Sequence, residues 1–145
     1  KINTSLFNLP QKFIHYNEYA DSGLLWVNKY TKYKLRTHAK KMKAKLNVPV
    51  ILTGSKKEKQ FTKPDFVDID LRGKIYPRDL FSVFSNGSIA NISFDTFPMH
   101  VANWAKVENY IYCRGRIFKS SEQKIRKFYL LPSSNYDPKL LNLIN

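Results

Sequence analysis

The stretch NISFDTFPMHVANW, residues 91–104, carries the most suggestive chemistry in the sequence. An alternating apolar segment ends on Asp95 and Thr96, Pro98 follows where it can open a helix, and His100 lies just beyond. If residues 88–94 form a strand, Asp95 and Thr96 sit at its carboxyl end. Thr96 or Phe97 then caps the helix, and Pro98 in the first turn sacrifices no hydrogen bond, because that amide is unpaired in any helix. Free amides near Met99 and His100 would point outward with the positive end of the helix dipole behind them, which suits a phosphate. The plainer reading is that Asp95 or Thr96 only caps the helix and nothing binds. His100 taken alone is more often a packed histidine than a catalytic one.

A second group of residues could hold an anion by charge alone. Lys29, Lys32, Arg36, Lys40 and Lys43 recur at helical spacing with no acidic residue between them. The whole chain of 145 residues carries a net charge of +14, from 25 Lys and Arg against 11 Asp and Glu. Such a balance implies an anionic partner: nucleic acid, an acidic membrane face or a phosphorylated substrate. Three readings of the basic face stay open. It is a solvated helix face, or it docks to anionic lipid, or it binds RNA or DNA phosphates with Tyr30 and Tyr33 available for stacking. His15, His38 and His100 are far apart and show no ligand spacing, so neither a metal site nor a cofactor is expected. Cys113, the single cysteine, lies in the apolar run YIYCRG, where a buried thiol is expected. It excludes an internal disulfide and fits either a reducing compartment or simple indifference to redox.

The elements that must position these groups follow from periodicity. Short strands are expected at 12–16, 48–54, 67–71, 88–94 and 109–113. Leu35, Ala39, Met42 and Leu46 form an apolar stripe that predicts a helix over about 29–46. Pro77 suits the first turn of a helix running to about Phe84, with Gly87 as its stop, and a further helix spans Pro98 to Lys106. Helices are also expected around 121–131 and, from Pro138, within the 132–145 tail. Strands and helices alternate through the first 115 residues or so. That order predicts an α/β fold with an open, mostly parallel sheet of about five strands and helices on both faces, whose ligands bind outside the carboxyl ends of the strands. With 43% hydrophobic residues, the chain suffices for one domain. No apolar run approaches the length of a transmembrane helix, and the first residues lack a secretory signal. A cytoplasmic protein is expected, peripheral to a membrane in one reading.

The segment DTFPMHVANWAKV resembles the Asp-Thr-Gly-Pro-Met-His-Leu-Ala motif of the heptosyltransferase-like glycosyltransferases, whose members include the enzymes that transfer ADP-heptose to lipopolysaccharide core. KFIHYN resembles the first strand of that family's carboxyl-terminal domain, and Trp26 before a long helix resembles its tryptophan. VPVILTGSKKE resembles its Val-Val-Leu-Thr-Gly-Gly stretch, and DLRGKIYPRDLFSVFSNGSIANISFDT its Leu-x-Gly-Lys segment, helix and motif strand. The match covers roughly residues 12–115. At two positions this sequence departs from the pattern: Phe97 stands at the usual glycine, and Leu24 at a lysine.

The resemblance implies the Rossmann-like, donor-binding half of a two-domain GT-B transferase, with residues 1–145 as that half. It assigns Asp95, Thr96, Phe97, Met99 and His100 to the diphosphate of a nucleotide-sugar donor, and Gly54 and Glu58 to its nucleoside. In that family the catalytic base comes from an amino-terminal domain, so no catalytic residue is assigned here, and that domain is an expected partner. The function expected is donor binding for an inverting transfer to a glycan or lipid-linked acceptor. The alternative is a non-catalytic basic module, of degraded transferase fold, bound to RNA or a ribonucleoprotein.

Overall fold

The computed structural model describes residues 9–19, 29–94, 96–113 and 116–119. Strand β1 (Phe13–Tyr16) leads to helix α1 (Lys29–Leu46), then to β2 (Val50–Leu52) and β3 (Ile69–Asp70). Helix α2 (Leu80–Ser85), β4 (Ser88–Phe94), α3 (Phe97–Trp104), β5 (Glu108–Cys113) and β6 (Arg116–Lys119) complete the order. One six-stranded sheet has the order β3-β2-β1-β4-β5-β6. Its first five strands are parallel, and β6 returns antiparallel to β5. This is the expected open α/β sheet, with a Rossmann-like strand order. The antiparallel β6 is an addition that the sequence pattern did not reveal.

All four residues of β1 are buried, as a central parallel strand requires when helices cover both faces. Alternation divides its side chains. Ile14 and Tyr16 join Val50, Leu52, Ala90, Ile92 and Phe94 beneath the Leu35, Ala39 and Met42 stripe of α1. Phe13 and Ile51 face the other way, against Val83 and Phe84 of α2 and Val101 and Ala102 of α3. Leu46, the last residue of the predicted stripe, is 37% exposed because it lies in the final turn of α1, beyond the sheet. The helix stops at Asn47, which adopts a left-handed φ of 52° and donates its amide to the Lys43 carbonyl. Asparagine tolerates that conformation better than most side chains.

The predicted helix from Pro77 begins as a 3-10 turn (Pro77–Asp79) and becomes α-helical at Leu80. Gly87 follows with φ at 136°, and its carbonyl accepts the Phe13 amide, tying the α2 exit to the start of β1. A side chain at Gly87 would collide with the Gln11 carbonyl, so a residue without Cβ is required there. Among the described residues no helix is long and apolar enough to cross a membrane. The helices expected at 121–131 and in the 132–145 tail, together with Leu24 and Trp26, lie outside the described residues.

Candidate functional site

The chain runs outward from β1 through β2 to β3, then returns to place β4 on the other side of β1. Loops leaving β1 and β4 at their carboxyl ends therefore diverge, and a crevice opens between them, the usual ligand position in such sheets. A cleft of about 190 Å³ occupies this region, lined by Asn17, Thr53, Gly54, Tyr76, Phe97 and Pro98 among others. Gly54 and Phe97, far apart in sequence, share its wall.

Below the cleft lies a row of polar side chains inside the sheet. His15, Asn91 and Asn109 are lateral neighbours on β1, β4 and β5, and each is fully buried. Nδ2 of Asn91 donates to Oδ1 of Asn109 at 2.8 Å and to Oγ of Ser93 at 3.0 Å, which leaves Oδ1 of Asn91 as an acceptor. The His15 ring therefore carries its proton on Nδ1 and donates it to Oδ1 of Asn91 at 2.7 Å. Nε2 of His15 then accepts from the Thr53 hydroxyl at 2.6 Å. Asn109 completes the chain by donating to the Met99 carbonyl at 3.1 Å, in the first turn of α3. One connected series of hydrogen bonds thus links the loop after β2 to the start of α3. Burial lowers the His15 pKa to about 4, against the opposing effect of its bond to Asn91, so the ring is neutral at pH 7. Asn17 fixes the same corner, donating Nδ2 to the Thr53 carbonyl at 2.9 Å.

The motif loop differs in detail from the expected phosphate site. Thr96 is the extended residue that precedes α3, but its hydroxyl turns back to the Phe94 carbonyl at 3.3 Å and does not cap the helix. The Met99 amide is not a free donor: it is hydrogen-bonded to the Thr96 carbonyl at 3.0 Å, in the tighter i to i−3 pattern common in a first turn. The Met99 side chain is buried in the core. His100 is half-buried, and burial lowers its pKa, so it offers no cation at neutral pH. Its ring lies 6.4 Å from that of Trp104. Phe97 is 47% exposed and faces the cleft, together with Pro98. Asp95 lies outside the described residues.

Glu58 does not reach outward as a ligand for ribose. It sits in a 3-10 turn (Lys56–Gln60) with its carboxylate folded back to accept the Ser55 amide, against the Cα of Gly54. Burial raises its pKa, although the Ser55 bond and Arg72 oppose this. Arg72 holds the turn in place. Its guanidinium binds both oxygens of Asp70 at 3.0 and 2.9 Å and donates to the Glu58 carbonyl at 2.6 Å.

The expected anion-binding face of α1 is also divided. Arg36 forms a bidentate pair with Glu18 at 2.7 and 2.6 Å, and Glu18 also accepts from the Tyr16 hydroxyl. Lys43 donates to Asp68 and to the Phe66 carbonyl, both at 2.8 Å. These two cations brace α1 against the sheet, because their positions flank its buried stripe. Lys29 and Lys40 remain exposed, and the Lys32 ammonium lies 5.6 Å from the Phe61 ring centre. Among the described residues no cluster of three or more His, Cys, Asp or Glu could hold a metal ion. No protein-family model, curated protein or solved structure matches the chain, so the fold and the cleft carry the functional reading.

Proposed function

We propose that this chain is the donor-binding domain of a two-domain, inverting glycosyltransferase of the heptosyltransferase-like type. The observation that supports it most is the shared wall of the cleft. Gly54 and Phe97 come from the two segments that the resemblance assigns to nucleoside and diphosphate, and they meet where the strand order reverses. At about 190 Å³ the cleft is smaller than the ~300–1,000 Å³ typical of complete small-molecule sites. It takes one end of a nucleotide sugar, and an opposing domain encloses the rest.

Transfer requires stabilisation of the departing nucleoside diphosphate and a base for the acceptor hydroxyl. Here the positive end of α3 and the guanidinium of Arg78 supply the first. Arg78 lies 5.1 Å from the ring centre of Tyr76, which lines the cleft, and so offers a cation near its mouth in a sequence that carries Leu24 in place of the family's lysine. The base is contributed by the amino-terminal domain. The sugar is transferred as an electrophile to the acceptor oxygen, whose proton passes to that base while the nucleoside diphosphate leaves as an anion.

Titration with ADP-, UDP- and GDP-sugars at low salt tests the donor site. Binding heat together with amide shifts at Gly54, Thr96, Phe97, Met99 and His100 is expected. An absence of both for all three donors removes the proposal.

A further inference from the structure

Beyond the donor cleft, we infer that the rim formed by the 56–61 turn and the first turns of α1 is a binding track for single-stranded nucleic acid. The rim is continuous with the carboxyl edge of the sheet. The Phe61 amide and the Arg72 guanidinium both bind the Glu58 carbonyl, Gly73 donates its amide to Gly54, and Lys56 packs against Gly73. Lys32, from α1, reaches over Phe61. Two turns from different parts of the chain thus meet in one surface.

Its electrostatics are one-sided for a structural reason. The carboxylates beside it are committed internally: Glu18 to Arg36, Glu58 to the Ser55 amide and Asp70 to Arg72. Lys29, Lys56, Lys57, Lys59 and Lys74 are exposed. Rings alternate with these charges. Tyr33 and Phe61 are 67% and 51% exposed, and the Lys32 ammonium lies over Phe61, whereas Tyr30 and Lys34 pair on the other flank of α1, the one on which His38 meets Tyr110 of β5.

Aromatic faces paired with ammonium groups match a strand of bases and phosphates, since bases stack on rings while cations track the backbone. A lipid surface prefers a contiguous apolar area bordered by charge, whereas these rings are interleaved with lysines. The rim does not depend on the donor reading, because none of Lys29, Lys57, Lys59, Tyr33 and Phe61 lines the cleft.

Fluorescence anisotropy of the full chain with a labelled oligouridylate of about 12 nucleotides tests the inference. Binding at low salt is expected, with log K falling linearly against log salt. Combined Lys29→Glu, Lys57→Glu and Lys59→Glu changes should weaken it tenfold or more, and the matching Lys→Gln set should weaken it less. Tyr33→Ala or Phe61→Ala should each reduce affinity about fivefold or more, near the lower bound for losing one stacked base. Circular dichroism checks that the variants fold, and nucleotide-sugar titration should be unchanged by the rim changes. The inference is overturned if the oligouridylate does not bind, or if the ring variants bind it as tightly as the parent chain. Preferential binding to phosphatidylserine vesicles would overturn it equally.

Discussion

His15 and Asn91 stand side by side on β1 and β4, with Nδ1 of the imidazole 2.7 Å from the amide oxygen and both side chains wholly buried. A polar pair in the middle of a parallel sheet is tolerated because every member of the row has a partner. Asn91→Leu would remove the acceptor of His15 and the donor of Asn109 together. We expect a loss of about 2–3 kcal/mol in urea unfolding, because the buried His15 and Asn109 side chains and the Ser93 hydroxyl each lose a bond at once.

The same imidazole makes stability depend on pH. Its pKa is about 4 in the folded chain against 6.5 when unfolded. Above pH 6.5 both states are neutral, and the contribution does not vary with pH. As pH falls from 6.5 to 4 only the unfolded chain takes the proton, so stability declines by an amount on the order of 3 kcal/mol and then levels off. His38 and His100, whose pKa values are also lowered by burial, act in the same direction. Urea midpoints across this range should fall steadily in the parent chain and much less in His15→Gln.

Phe97 restricts the cleft by its bulk. Replacing it with Gly, the residue usual in the resembling family, or with Ala should tighten nucleotide-sugar binding by about tenfold, or about 1.4 kcal/mol. Calorimetry on the two variants and the parent chain measures this. Equal or weaker binding would show that the ring contributes to the contact with the donor.

Arg72 is 5% exposed and binds both Asp70 and the Glu58 carbonyl. Arg72→Leu removes the guanidinium, leaving the Asp70 carboxylate only the backbone amide of residue 72 and the Glu58 carbonyl only the Phe61 amide. A destabilisation of about 2 kcal/mol is expected from thermal unfolding. Amide exchange should accelerate at Ser55 and Phe61 before it does in β1, since the 56–61 turn loses its brace while the sheet is untouched.

Much of the fold was legible because periodicity and punctuation agree. The interval pattern of Leu35, Ala39 and Met42 locates α1 at the observed residues, and β4 occupies the expected 88–94. The polar row was not legible. His15 and Asn91 each interrupt an apolar run and Asn109 precedes one, and only strand register shows that the three are lateral neighbours. Spacing on α1 likewise treats Arg36 and Lys43 as equivalent to Lys29 and Lys40. Their partners, Glu18 and Asp68, are 18 and 25 residues away in sequence and come close only through folding. Glu58 was legible as a residue near Gly54, but the turn that directs its carboxylate inward has no periodic signal.

The brevity of β3 bears on assembly. This border of the sheet offers only Ile69 and Asp70 for pairing, and the Asp70 carboxylate is held by Arg72. A visiting strand would find too little exposed backbone to continue the ladder there, which protects the protein from edge-to-edge polymerisation on that side. An incoming domain is better served by meeting the loops at the strand tips, where it would form a seam across the sheet's end.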